Sequence, residues 1–198
     1  MTFDEKTRRF YAQQAATYAA RQDERPTDQL DAFLAGLPDG GTILELGCGG
    51  GRDSRHMLDR GFDVTPTDGS PELAAEAEKL LARPVRVMTF DALDDHNAYD
   101  GVWACACLLH VPIADLPIIL RKIHRALRRG GQFVASFKVG QGEGRDRFGR
   151  YYSYPSPDAL RAAYKTAGEW DGLALDMVAG SGYDGMPTDW AWITVTKG

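Results

Sequence analysis

Short apolar runs alternate with amphipathic stretches along most of the chain. The runs are bounded by turn residues and are too short for buried helices, so they predict strands. Apolar residues at helical spacing between or after them predict helices. The predicted strands cover residues 42–46, 62–67, 85–88, 101–105 and 133–139, and the predicted helices cover 52–60, 70–81, 114–129 and 156–168. This alternation predicts a parallel sheet with helices on both faces.

The two ends of the chain depart from this alternation. Residues 3–21 include Phe3 and are helix-compatible but weakly periodic, which predicts a loosely attached helix; a more regular helix follows Arg25-Pro26. Residues 173–178 and 190–196 alternate with no helix between them and predict an antiparallel hairpin. The predicted fold class is therefore α/β, a Rossmann-like doubly wound seven-stranded sheet, mostly parallel with one antiparallel strand from the C-terminal hairpin.

Length, composition and charge limit the classes of protein and of partner that the sequence predicts. A chain of 198 residues with 43% hydrophobic and 26% charged residues predicts one soluble globular domain over 1–198. A net charge of −5 argues against a nucleic-acid or membrane partner. The three cysteines lack zinc-ligand spacing, so no metal is expected. With no signal peptide and no apolar run long enough to span a bilayer, we expect a cytoplasmic protein.

A glycine-rich loop follows the first predicted strand. Gly47, Gly49, Gly50 and Gly51 come directly after Glu45-Leu46, and a helix follows them. Glycines allow a backbone to approach a ligand closely, and a helix N-terminus presents free N–H groups to a carboxylate or phosphate. The alternative is a tight strand-to-helix turn without a ligand.

Acidic residues follow the next two predicted strands. Asp68 comes 21 residues after Gly47, close to the separation at which an acid binds ribose hydroxyls. Asp91, before Ala92, could accept a hydrogen bond from an adenine amino group. Both could instead be ordinary solvated turn residues.

Further polar groups end the fourth and fifth predicted strands. His110 could be a general base or a structural histidine, and Lys138 could bind a ligand or extend to solvent. Residues 140–155 hold three arginines and three tyrosines among glycines. They could form a surface loop without a functional role. Alternatively, they form a lid over the acceptor site, in which the guanidinium groups favour an anionic acceptor.

These residues together resemble the class I S-adenosylmethionine-dependent methyltransferases over essentially the whole chain. Glu45-x-Gly47-x-Gly49-x-Gly51 is similar to the first motif of that family, and residues 99–105 are similar to the fourth. Residues 127–131 resemble a turn of the family, with Arg129 where proline is usual. The resemblance implies that S-adenosylmethionine is bound by Tyr18, Glu45, Gly47, Cys48, Gly49, Gly51, Arg52, Asp68, Gly69, Asp91, Ala92 and Cys105.

Four stretches, 48–54, 108–112, 136–138 and 149–152, resemble small stand-alone bacterial members near the tellurite-resistance-type methyltransferases. In such members the N-terminal helix often closes over the cofactor. The resemblance therefore implies that residues 1–38 form a helical lid and that Tyr11, Tyr18 or Arg21 contacts the cofactor.

The implied function is methyl transfer from S-adenosylmethionine to a small acceptor by in-line displacement. His110 would be the base, Lys138 and Arg150 would hold an acceptor that is anionic, and Tyr152 would contact it. One alternative is a non-catalytic S-adenosylmethionine-binding regulator. A nicotinamide-dependent reductase is a second alternative, but Arg52 stands where its loop motif needs glycine or alanine. The expected partner is a small molecule, and the protein would be a monomer or homodimer.

Overall fold

The computed structural model describes residues 4–21 and 27–198. Phe3 and the Arg25-Pro26 break lie outside them. The helices are α1 (Glu5–Ala20), α2 (Thr27–Ala35), α3 (Arg52–Asp59), α4 (Pro71–Leu81), α5 (Leu116–Ala126) and α6 (Pro157–Ala167). The strands are β1 (Thr42–Leu46), β2 (Asp63–Asp68), β3 (Arg86–Val87), β4 (Tyr99–Ala104), β5 (Leu127–Lys138), β6 (Glu143–Arg145), β7 (Tyr151–Ser153), β8 (Trp170–Ser181) and β9 (Pro187–Lys197).

The main sheet has seven strands in the order β3-β2-β1-β4-β5-β9-β8. Strands β1 to β5 pair in parallel, whereas β9 lies antiparallel between β5 and β8. The predicted fold class is confirmed, including the single antiparallel strand. The strand order reverses between β1 and β4, and ligands of such sheets bind at the carboxyl edge next to this reversal.

Helix α5 is shorter than its sequence pattern predicts. It ends at Ala126, and Leu127 is already extended and pairs with Tyr99 of β4. The prediction of a helix through Arg129 is therefore wrong, because the chain enters β5 directly after Ala126, the last buried residue of the helix. Gly130, with a φ of 78°, lies within β5 as a local irregularity rather than after the helix.

The segment 140–155 contains two strands that its sequence does not predict. Strands β6 and β7 form a separate two-stranded sheet, which we call the β6–β7 hairpin (143–153). Glycines and charges are poor strand formers, so single-residue preferences miss it. Tyr151 N–H donates to Thr7 Oγ1 of α1 at 2.7 Å, so docking on α1 supports the hairpin.

Two apolar clusters cover the two faces of the main sheet. One lies under α5 and α6, and the other joins Phe33 of α2 to Trp103 of β4 and Trp192 of β9. Within the residues described, no helix is long and apolar enough to cross a bilayer.

Candidate functional site

A cleft of about 830 Å³, its open mouth included, lies at the carboxyl edge of the main sheet beneath α1. It is lined by Asp4, Thr7, Arg8, Tyr11, Tyr18, Gly47, Gly49, Asp68, Gly69, Ser70, Leu73, Thr89, Phe90, Cys105, Ala106, Cys107 and His110. Six of the predicted cofactor residues and the predicted base therefore share one cleft.

The loop glycines have separate structural roles. Gly47 has a φ of 67°, and a Cβ there would lie 2.5 Å from the Cβ of Cys107. A Cβ on Gly49 would meet the ring of Tyr18, a residue of α1 that packs against the glycine loop. Gly51 faces away from the cleft, where a Cβ would meet Ala77 of α4. Gly47 and Gly49 therefore permit the close approach of Cys107 and Tyr18, and of the loop glycines these two line the cleft.

Asp68 is the buried acid of the cleft. One of its carboxylate oxygens accepts the Gly49 N–H at 2.9 Å and the other accepts the Ser70 N–H at 2.8 Å. Burial raises the pKa of Asp68 to about 6, and these N–H donors oppose that shift. Each carboxylate oxygen keeps a lone pair, so Asp68 can accept two further hydrogen bonds from hydroxyl groups.

Other predicted cofactor residues form a layer beneath the loop. The buried Glu45 carboxylate accepts a hydrogen bond from the Ser54 hydroxyl of α3. The Cys48 thiol is buried, and burial raises its pKa, so the thiol stays protonated. Arg52 begins α3. None of these three lines the cleft, so their support of a ligand is indirect.

The adenine contact predicted at Asp91 and Ala92 lies beside the cleft. Both residues are exposed in a short 3₁₀ turn after β3, and the cleft is lined there by Thr89 and Phe90. The contact through Asp91 stays a prediction.

A chain of hydrogen bonds fixes the protonation of His110. Its Nδ1 lies 2.6 Å from the carbonyl oxygen of Tyr151, which can only accept, so Nδ1 carries the proton. Burial lowers the pKa of His110 to about 4, so the ring is neutral at pH 7. Its Nε2 therefore accepts the hydroxyl proton of Tyr11 at 2.9 Å. The Tyr11 oxygen in turn accepts from Arg150 Nη1 at 3.1 Å.

Arg150 and Tyr152 lie behind the cleft rather than in its lining. The Arg150 guanidinium is 1% exposed and donates to Asp146 Oδ2 through Nε at 2.9 Å and Nη2 at 2.7 Å. Five aromatic rings surround it, those of Phe10, Tyr11, Phe148, Tyr152 and Tyr183. Arg150 thus already has an anionic partner, unlike the acceptor-binding group that the sequence predicts.

Lys138 is also covered, so the alternative that it extends to solvent is wrong. It is 6% exposed and its ammonium lies 4.6 Å from the centroid of the Tyr152 ring. Tyr152 contacts His110, with ring centroids 4.6 Å apart. The predicted acceptor residues are therefore neighbours of the cleft, one layer from it.

Several residues of the site escape sequence reasoning. Thr7 of α1 and Asp4, which caps this helix, line the cleft, but the polar sequence of α1 shows no pattern that marks a ligand-facing side. Tyr183 stacks on Tyr18 with ring centroids 5.3 Å apart, from a turn 165 residues later. Phe90, which also lines the cleft, can be found from the sequence, because it directly precedes the predicted acid Asp91.

Comparisons with known proteins agree with this geometry. Residues 44–135 match the family described as a methyltransferase domain. The chain is 33% identical over 108 residues to 2-methyl-6-phytyl-1,4-hydroquinone methyltransferase of Synechocystis sp., covering 50% of this chain and 33% of that protein. It is 36% identical over 109 residues to the ubiquinone biosynthesis O-methyltransferase of Pseudomonas paraeruginosa, covering 52% of this chain and 46% of that protein. The matches thus span less than half the length of these curated relatives.

A solved structure extends the likeness to nearly the whole chain. The 1,6-didemethyltoxoflavin-N1-methyltransferase of Burkholderia thailandensis, solved with bound 1,6-didemethyltoxoflavin and S-adenosylhomocysteine, superimposes with a TM-score of 0.74 at 22% identity. The superposition covers 97% of this chain and 87% of that chain. The likeness to tellurite-resistance-type members stays a prediction. Residues 44–135 thus match a methyltransferase domain, and the fold and strand order around them resemble those of S-adenosylmethionine-dependent methyltransferases.

Proposed function

We propose that the protein transfers a methyl group from S-adenosylmethionine to a small acceptor by in-line displacement. The observation that carries the proposal is the cleft at the strand-order reversal, lined by the backbone of Gly47 and Gly49 and by the buried Asp68 carboxylate. A dinucleotide-binding site would need glycine or alanine at Arg52, which begins α3 instead.

The residues present fit the cofactor. The backbone of Gly47 and Gly49 lines the cleft, and Asp68 offers two acceptor positions to ribose hydroxyls. Leu73 and Phe90 supply an apolar wall for a base. S-adenosylmethionine supplies an activated methyl on a sulfonium, so the protein mainly has to position the acceptor and exclude water. Tyr11 and Tyr18 of α1 cover the cleft and serve that exclusion.

Tyr11 and His110 give the site a route for a proton. The Tyr11 oxygen accepts one hydrogen bond from Arg150 and keeps a lone pair for an acceptor hydroxyl. As the acceptor gives its proton to this oxygen, the Tyr11 proton moves to His110 Nε2. Because burial lowers the pKa of His110 to about 4, it takes the proton only once methylation has made the acceptor acidic. The base predicted at His110 thus acts through Tyr11.

Binding and transfer are tested separately. We expect S-adenosylhomocysteine to bind in calorimetric titration, and radiolabelled S-adenosylmethionine to methylate members of a panel of small phenols, carboxylates, amines and thiols. No binding at about millimolar ligand would contradict the proposal. Binding without transfer to any panel member would favour the non-catalytic regulator.

The Tyr11→Phe variant tests the proton route. Removing the hydroxyl should slow transfer to protonated acceptors by about 10²–10⁴-fold, the usual contribution of general acid–base catalysis, with S-adenosylhomocysteine affinity nearly unchanged. Tyr164→Phe is the matched control, because Tyr164 is buried in the core and its hydroxyl has no hydrogen-bond partner among the residues described. Equal transfer rates in both variants would remove Tyr11 from the mechanism.

Cofactor affinity should depend on pH. With the pKa of Asp68 raised to about 6, its carboxylate form, which accepts ribose hydroxyls, is lost as the pH falls through 6. The affinity for S-adenosylhomocysteine is then full above pH 7 and falls towards tenfold per pH unit below 6. His110, with its pKa near 4, stays neutral over pH 5–8. Titrations over that range check this; a flat profile would exclude a carboxylate-dependent contact at Asp68.

The setting proposed for this activity is the cytoplasm. No disulfide joins Cys48, Cys105 and Cys107, which supports a reducing compartment. A net charge of −5 supports a small-molecule acceptor over nucleic acid.

A further inference from the structure

The backbone of Tyr151 faces outward from the β6–β7 hairpin. Tyr151 lies opposite Arg145 in this two-stranded sheet. In the neighbouring pair, the Asp146 N–H donates to the Arg150 carbonyl at 3.0 Å. Hydrogen-bonded and non-hydrogen-bonded pairs alternate along antiparallel strands. The N–H and the carbonyl of Tyr151 therefore point away from the partner strand and can bond to groups outside the hairpin.

Both of these backbone groups bind residues that line the cleft. The Tyr151 N–H donates to Thr7 Oγ1 of α1 at 2.7 Å, and the Tyr151 carbonyl accepts the Nδ1 proton of His110 at 2.6 Å. Thr7 is 5% exposed, so its hydroxyl is shielded from water. Because a buried N–H that loses its partner costs free energy, the position of Tyr151 beside His110 depends on Thr7.

The direction of the hydrogen bonds at Thr7 is fixed by a carboxylate. The Thr7 hydroxyl donates its proton to Asp4 Oδ1 at 2.9 Å. Asp4 can only accept, because hydrogen bonds from Arg145 hold the pKa of its carboxyl well below the usual range. A hydroxyl has one proton and two lone pairs, so the Thr7 oxygen is an acceptor for the Tyr151 N–H. Serine could make both bonds, whereas valine, of nearly the same shape, could make neither.

Helix α1 thus contacts both ring nitrogens of His110. Thr7 and Tyr11 are four residues apart and lie on the same face of this helix. Tyr11 holds Nε2 directly, at 2.9 Å, and Thr7 holds Nδ1 through the backbone of Tyr151. A neutral imidazole has one proton, and the hydrogen bond at one nitrogen decides the state of the other. Only the tautomer with the proton on Nδ1 leaves Nε2 able to take the Tyr11 proton.

We propose that Thr7 is a positioning residue that keeps the proton of His110 on Nδ1. It acts through the backbone of Tyr151. Because the same helix supplies Thr7 and Tyr11, the route for the acceptor proton is complete only while α1 is docked on the hairpin. The inference rests on the proposed function, which gives that route its purpose, but the tautomer of His110 can be measured without cofactor or acceptor.

Nuclear magnetic resonance of the full chain with isotope-labelled histidine tests the proposal. Two-bond proton–nitrogen correlation spectra report the tautomer of each of the four histidines, and the signals missing in His110→Gln identify His110. At pH 7 we expect the Nδ1–H tautomer in the unaltered protein and in Thr7→Ser. Thr7→Val should shift His110 partly to the Nε2–H tautomer. Thr166→Val is the matched control, because the Thr166 hydroxyl donates to the Ala163 carbonyl of its own helix, α6.

Methyl transfer provides a second measurement. With a hydroxyl acceptor from the panel, Thr7→Val should lower kcat by about 10–100-fold, because a misplacement of about 1 Å in a catalytic site can cost about 100-fold. The KM for the acceptor and the affinity for S-adenosylhomocysteine should stay within threefold. Thr7→Ser should restore the rate, which a loss of packing at this position would not explain.

The outcomes separate this inference from the proposed function. An Nε2–H tautomer in the unaltered protein, an unchanged His110 spectrum in Thr7→Val, or the same shift in Thr7→Ser would overturn the role of Thr7. Circular dichroism verifies folding, and Thr7→Ala, which removes the hydroxyl without adding bulk, replaces Thr7→Val if that variant does not fold. Failure of the unaltered protein to bind S-adenosylhomocysteine would instead overturn the proposed function, while the spectra would still decide the role of Thr7.

Discussion

Replacing Asp68 by asparagine is expected to weaken S-adenosylhomocysteine binding about 100-fold. The carboxylate offers lone pairs to two ribose hydroxyls while it holds the Gly49 and Ser70 N–H groups. Hydrogen bonds to charged groups contribute about 1.5–3 kcal/mol each, and the amide removes the charge and one acceptor oxygen. A loss of about 2.7 kcal/mol corresponds to the expected change in Kd. Calorimetric titration at pH 7.5 measures it.

Asp63→Asn is the matched control for this variant. Asp63 begins the same strand, β2, that Asp68 ends, and it is exposed at the opposite edge of the sheet. Its replacement should leave the Kd unchanged. Thermal unfolding without ligand shows whether Asp68→Asn disturbs the loop itself. A Kd within threefold of the unaltered protein would remove Asp68 from the ribose contact.

Arg150→Met should destabilise the protein by about 3–5 kcal/mol, because it leaves the buried Asp146 carboxylate without its counter-charge. Asp146 and Arg150 are 4% and 1% exposed. The same substitution removes the hydrogen bond to Tyr11 that joins the β6–β7 hairpin to α1. Urea unfolding, followed by circular dichroism, gives the free energy of unfolding.

A partly exposed ion pair, between the β6–β7 hairpin and the residue that caps α1, can be compared with the buried pair of Arg150 and Asp146. Arg145 of the hairpin pairs with Asp4, which caps α1, at 2.7 Å, and both side chains are partly exposed. Arg145→Met should cost less than about 1 kcal/mol, because solvent screens exposed pairs. Equal losses in Arg145→Met and Arg150→Met would contradict the assignment of Arg150 as the group that fixes the hairpin. Adding Asp146→Asn to Arg150→Met should restore part of the stability.

Helix α1 shows that a sequence pattern does not predict how firmly a helix is attached to the rest of the protein. Its weak periodicity predicts loose attachment, yet Thr7 and Ala15 are buried. Polar and aromatic partners hold it: Asp4 pairs with Arg145, and Tyr11 contacts both His110 and Arg150. These partners lie 99 to 141 residues away along the chain. Periodicity detects only helices that are attached through an apolar stripe, so it underestimates this one.

His110 and Lys138 show the same limit for single side chains. Their sequence positions at strand ends identify them as candidates, but the alternatives of structural histidine and solvent-exposed lysine stay open at that level. The partners decide their chemistry: Tyr151 fixes the proton of His110, and Tyr152 and Trp190 cover Lys138. Tyr151 and Tyr152 come from the β6–β7 hairpin, which the strand pattern does not predict, and Trp190 lies opposite Lys138 on β9.

The sequence by itself determines the sheet, the single antiparallel strand, the glycine loop and the acid Asp68, because each depends on local periodicity or on short spacing along the chain. Only the tertiary structure decides that α1 lies over the cleft, that Arg150 is already paired with Asp146, and that Tyr152 and Trp190 cover Lys138. Burial and pairing are properties of distant segments brought together, and the free energies of charged groups depend on them far more than on neighbours in sequence.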